Sequence, residues 1–282
     1  MKQFKRQLRY DLRAGTFQYW IWYVVIFVFF LCIHSIYLLS IKKIAVWQGN
    51  EQQSVLSYFD YVWNVLKGVP EFAGTQRGQS FSVPMEWFVL QIICMIWNLF
   101  YPYMDFYERN IQFFLQAKSR KQWWYSKCTW VVINTILYYS VFFISGIVAT
   151  IYFGTKNELT LQRGLLCSEV WIEMPLWKQL ILLFLLPVVV SIAVGIFVVL
   201  LSIFFHPIGS VSIGLGIYIA SVYWEQPYLI GNYSMLVRSS WLQSGKMNAV
   251  IGMVFSVGVI ACMSLLGSRW IQKKDVHKKG RV

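Results

Sequence analysis

The sequence predicts an all-α, polytopic membrane protein with about six transmembrane helices, and three observations carry that fold class. Hydrophobic residues fill 57% of the 282 positions and charged residues only 13%, a balance outside the range of soluble domains. Apolar stretches recur at the length a helix of ~20 residues needs to cross a hydrocarbon core of ~30 Å. Runs such as Val24–Cys32 and Leu180–Val190 are uninterrupted, whereas barrel strands alternate apolar and polar positions. Helices satisfy their own backbone groups where no water is present.

In chain order, residues 1–15 predict an interfacial helix. Phe4, Leu8 and Leu12 share one face, and Lys2, Lys5, Arg6, Arg9 and Arg13 fan over the adjoining one. A basic tail that only orients insertion is the competing reading. Ala14-Gly15 permits a bend into the first span, Phe17–Ser40, whose aromatic start at Phe17–Tyr23 suits a membrane interface. That run is too long for a cleaved leader, and Ile41-Lys42-Lys43 follows it. In the loop 41–82, Val55, Phe59, Val62 and Leu66 repeat at helical spacing, predicting a short helix against the outer leaflet.

The remaining spans are Val83–Tyr103, Cys128–Phe153, Gln179–Phe205, Pro207–Trp224 and Met247–Leu266. A polar loop, 154–178, precedes the fourth, in which Pro187 predicts a packing kink. Ser191-xxx-Gly195, Ser212-xxx-Gly216 and Gly252-xxx-Ser256 predict close packing among the last three spans. Residues 225–246, with Glu225, Gly231, Asn232 and Arg238, are half apolar and broken at Gly231-Asn232. They predict a re-entrant helical hairpin on the outer side. A basic tail, 267–282, ends the chain.

Sixteen of the 25 Lys and Arg fall in the N-terminal segment, the 104–127 connection and the tail. The positive-inside rule therefore predicts both termini in the cytosol of a multi-pass cell-membrane protein. The net charge of +13 reads as a topology signal and as contact with membrane lipids, with no folded basic domain to bind nucleic acid. Cys32, Cys94, Cys128, Cys167 and Cys262 form neither a disulfide framework nor a metal motif. His34, His206 and His277 are too dispersed for a catalytic or metal site, so the chain is not expected to be an enzyme by itself.

The cores of the spans hold no Asp, Glu, Lys or Arg. An ion-driven pump needs an ionisable group at mid-membrane, so any driving force is expected to arrive through a partner on a soluble face. The 104–127 connection has the chemistry for one. Ile111, Phe114, Leu115 and Lys118 follow helical spacing, a basic cluster with Arg120 and Lys121 comes next, and Trp123-Trp124-Tyr125 leads into the third span. A topogenic loop with snorkelling side chains fits this pattern, as does a short helix seated in a partner's groove.

Here the chain resembles the permease subunits of type-2 ABC exporters. Glu108-Arg109 matches the opening pair of that family's coupling helix, Ser119-Arg120 its closing turn, and Lys127 the Lys that opens span three. Asn110-Ile111 and Lys118 depart from the family's usual Gly-Thr and Pro. The resemblance implies a single permease domain, 1–282, with 104–127 as the ATPase-coupling loop. It also implies separate ABC-type ATPase subunits and a second permease half, identical or paralogous. No cofactor is expected on this chain, because ATP belongs to the partner: Gly74-Thr-Gln-Arg-Gly78 lacks the Lys-Ser/Thr of a phosphate-binding loop. The cargo implied by aromatic, charge-free spans is amphipathic or hydrophobic, such as a peptide, an antibiotic or a lipid-like molecule. A non-transporting scaffold, receptor or toxin-immunity protein is the alternative.

Overall fold

A computed structural model describes residues 2–47, 58–72, 83–107, 120–152, 174–242 and 246–273. Among these residues the secondary structure is helical, with one isolated β-bridge between Ser239 and Met247. The chain runs α1 (Lys2–Gly15), a 3-10 turn (Phe17–Tyr19), α2 (Trp20–Trp47), α3 (Tyr58–Leu66), α4 (Met85–Tyr107) and α5 (Arg120–Tyr152). It continues through α6 (Leu176–Ser202), α7 (Pro207–Tyr223), two 3-10 turns (Ile230–Ser234 and Leu236–Arg238) and α8 (Ala249–Lys273). Among the described residues five helices are long and apolar enough to cross a membrane: α2 (counted with α1), α4, α5, α6 and α8.

Apolarity on every side makes α6 the central pillar. Its most apolar window is 67% buried, against 22% for α2 and 17% for α8, and it packs on α4, α5, α7 and α8. The outer helices turn Ile21, Val25, Val28, Val254 and Val257 outward, as lipid-facing surfaces do. Within α6, residues Ile181–Leu185 form a π turn that closes on the Leu186 N–H. That widening falls on the carbonyls the Pro187 ring would otherwise crowd.

Three expectations are corrected. The first concerns α3, which packs into the bundle on all sides instead of presenting one apolar face: Tyr61 through Leu66 are all buried, while Val55 lies outside the described residues. It plugs one end of the bundle, Tyr61 against His34 of α2 at 3.6 Å and Asn64 donating to Glu86 of α4 at 2.7 Å. Gly68 ends it at φ +68°, where a Cβ would also strike Met235. The second concerns 225–246, in which the described stretch 225–242 holds 3-10 turns rather than a helical hairpin. Short backbone bonds such as Asn232 N–H to Leu229 O and Arg238 N–H to Met235 O, with Asn232 Nδ2 donating to Gln226 O, take the place of a helical ladder.

The third concerns α7. Its buried stripe is Ser210, Gly214, Tyr218 and Ser221, two residues out of step with the predicted Ser212-xxx-Gly216. A Cβ on Gly214 would lie 2.4 Å from Met95 Sδ, whereas one on Gly216 meets nothing within 4 Å. Gly195 and Gly252 do lie at close approaches, against Asn98 and Tyr233. Accordingly, Gly216→Ala leaves thermal stability in detergent unchanged or slightly raised, while Gly214→Val loses about 1–3 kcal/mol from overpacking. Equal midpoints for the two variants would show the stripe assigned to the wrong face.

At 17 residues, α7 is about 25 Å long, short for a full crossing. Its ends nevertheless lie at opposite ends of the bundle. It follows α6 at the end where Tyr107 meets Ser202 O, and it finishes beside Val69 and Pro70.

Candidate functional site

Among the described residues the densest buried electrostatics lie where α4 ends and α5 begins, on either side of the 108–119 connection. Asp11 sits on α1, Asp105 on the last turns of α4 and Lys127 two turns into α5, and all three are buried. Lys127 Nζ is 2.7 Å from Asp11 Oδ1 and 2.7 Å from Asp105 Oδ2. Each carboxylate has further donors. Tyr101 donates to Asp11 at 2.8 Å, as does Ser126, and Trp123 Nε1 donates to Asp105 at 3.0 Å. The ammonium also lies over the Tyr101 ring, 4.3 Å from its centre.

One ammonium shared by two carboxylates joins three helices at one point. A buried charge left alone is very unfavourable, so α1, α4 and α5 are fastened here as long as the triad is complete. Gly15 seats the end of α1 against Tyr101 and Trp130, where a Cβ would clash, and Trp130 Nε1 donates to Thr16 at 3.1 Å.

This geometry redraws the predicted loop 104–127. Asp105–Tyr107 and Arg120–Lys127 are helical, and Lys127 faces the interior rather than a soluble partner. Arg120, half-buried, reaches the Gln272 carbonyl near the end of α8 at 3.4 Å, and Lys121 is exposed. Glu108, Arg109, Phe114, Leu115 and Ser119 lie outside the described residues, as does the tail beyond Lys273.

At the opposite end, the predicted Glu225, Gly231, Asn232 and Arg238 do come together. Arg238, 1% exposed, donates to the carbonyls of Val69 at 2.9 Å and Val222 at 2.8 Å. It also donates to Ser221 O and Asn232 Oδ1. The guanidinium thus caps the final carbonyls of α7, where the helix dipole favours a cation, and ties them to the segment after α3. Burial lowers its pKa from the ordinary Arg value, with Glu225 and Glu71 acting in the opposite sense, and it stays a cation. Asn232 donates to Trp224 O and Gln226 O, Gly231 packs on Ser221, and Lys246 pairs with Glu225 at 2.6 Å.

Between these ends the apolar core holds a layer of polar but uncharged side chains. Gln91 accepts from Ser191 at 2.7 Å and Tyr218 at 3.2 Å, and donates to Tyr139 at 3.2 Å. Asn98 donates to Thr135 and accepts from Asn134, each at 2.8 Å, and Tyr23 donates to Asn134. His34 Nε2 lies 3.1 Å from Ser145 Oγ. These residues cross-link α2, α4, α5, α6 and α7 through paired amides and hydroxyls.

Sequence reasoning missed Asp11, Asp105 and this middle layer. The available signal was Lys127 itself, because a Lys opening an apolar helix needs a counter-ion, and only a few acids flank the spans at that end. No family model matches the chain, and no curated protein or solved structure matches it either.

Proposed function

We propose that this chain is the membrane-spanning permease half of an ATP-driven exporter, with six crossings and a re-entrant outer segment at 225–246. The carrying observation is the Asp11–Lys127–Asp105 joint at the base of the 108–119 connection. A push on that connection by a separate ATPase reaches α4 and α5 and, through the triad, α1, as one rigid body. The charge-free, hydrogen-bonded middle favours an external energy source over ion coupling.

The two ends of α7 lie at opposite ends of the bundle, which supports counting it as the fifth crossing. The Arg238 cluster supports a re-entrant segment, since broken backbone at membrane depth must be satisfied by protein. The bundle centre is filled by bonded side chains, so a cargo path belongs on an outward face shared with a second permease half. The α2–α4 groove, about 380 Å³ and lined by Trp22, Phe29, Trp97 and Phe100, has the chemistry for an amphipathic or hydrophobic cargo.

Gentle purification of the tagged chain from its native membrane is expected to bring an ABC-type ATPase with it. In that complex, exchanging Glu108 and Arg109 for Ala abolishes transport-coupled ATP hydrolysis while membrane insertion is retained. Unchanged hydrolysis would remove the coupling assignment.

A further inference from the structure

Helix α1 carries a single acidic residue, Asp11, and the structure spends it inward on Lys127. Lys5, Arg6, Arg9 and Arg13 are left on the exposed side with no counter-charge on their own helix. Arg13 makes no hydrogen bond or ion pair among the described residues. It borders a crevice of about 400 Å³ along the end of α1 and the 3-10 turn that follows, lined by Tyr10, Arg13, Ala14, Phe17 and Gln18. Below that crevice stand two outward apolar rings, Phe17 at 70% and Trp20 at 61% exposure.

We infer that this crevice is a headgroup site for one anionic phospholipid of the leaflet on which α1 lies. Arg13 holds the phosphate through charge-assisted hydrogen bonds, and Gln18 supplies a neutral donor beside it. Phe17 and Trp20 lie along the first acyl carbons, at the depth where aromatic rings gather in bilayers. Lys5, Arg6 and Arg9, further along α1, draw acidic lipid to the surface without selecting a position. The triad behind Asp11 makes the crevice rigid, since Ala14 and Gly15 are seated against the bundle. The site rests on α1 lying at a membrane surface and is independent of the exporter reading.

The full chain in neutral detergent, titrated with dioleoyl phosphatidylglycerol or dioleoyl phosphatidylcholine, separates the outcomes by native mass spectrometry. The expected result is one retained phosphatidylglycerol per chain, favoured over phosphatidylcholine. Arg13→Gln lowers its apparent affinity roughly tenfold, the worth of one charge-assisted hydrogen bond. Gln18→Leu lowers it less, and Arg9→Gln leaves it unchanged. All three positions are exposed, so an unaltered unfolding midpoint is expected and is measured alongside. Equal retention of the two lipids overturns the site. Equal losses from Arg9→Gln and Arg13→Gln overturn it in favour of diffuse attraction. Displacement of the lipid by millimolar inorganic phosphate overturns it in favour of a soluble anion.

Discussion

Lys127→Met is expected to be the most damaging single change in the described part of the chain. It leaves two carboxylates facing one another in a buried site, and removing one partner of such a pair destabilises by about 3–5 kcal/mol. The effect has a local signature as well as a global one. Without the ammonium, Asp11 keeps only neutral donors such as Tyr101 and Ser126, which do not compensate a buried carboxylate, so α1 separates from α5. A cysteine placed at Ala14, 7% exposed in the intact protein, then reacts rapidly with a polar thiol reagent. Background labelling at Cys32 and Cys262, the exposed thiols among the described residues, and at Cys167, which lies outside them, is removed by Ser substitution. Combining Lys127→Met with Asp11→Asn and Asp105→Asn recovers much of the lost stability, because no uncompensated charge remains. A single variant as stable as the parent, with Ala14 still protected, would mean that the triad does not hold α1.

Arg238→Gln is the second large effect. The guanidinium satisfies carbonyls from three segments at once: the end of α7, the stretch after α3, and the Asn232 side chain of the 3-10 turns. An amide side chain is shorter and neutral and offers two N–H groups, so several buried carbonyls lose their donors, each worth about 1–3 kcal/mol when orphaned. The expected outcome is a loss of several kcal/mol, confined at first to one end of the bundle. Hydrogen exchange in detergent reads it as faster labelling of 220–240 and 66–72, with the α4–α5 base unchanged. Arg238→Lys recovers only part, because an ammonium cannot span the fork of directions that a planar guanidinium covers. Uniform acceleration across the chain would contradict a local role.

The class of fold was legible because a bilayer imposes a rule that composition and run length express directly. The amphipathic pattern of 1–15 and the helical spacing around Val62 and Leu66 likewise mark real helices, α1 and α3. What α3 meets was not legible. Helical spacing shows that one face is apolar, but Tyr61 and Trp63 are buried as well, because helices surround this one on several sides. The small-residue stripe of α7 fails for a related reason. Ser210-xxx-Gly214 and Ser212-xxx-Gly216 are equivalent as patterns, and only the position of Met95 on α4 separates them.

Taken alone, the amino-acid order determined that this is a helical membrane protein with a basic amphipathic helix at residues 2–15, since apolar length and charge spacing are local properties. Tertiary structure decided the counter-ions. Asp11 and Lys127 are 116 positions apart, and Arg238 finds Val69 across 169. No local pattern records such pairings. They exist because a charge withdrawn from water must find partners among whatever surfaces the packed helices bring within reach.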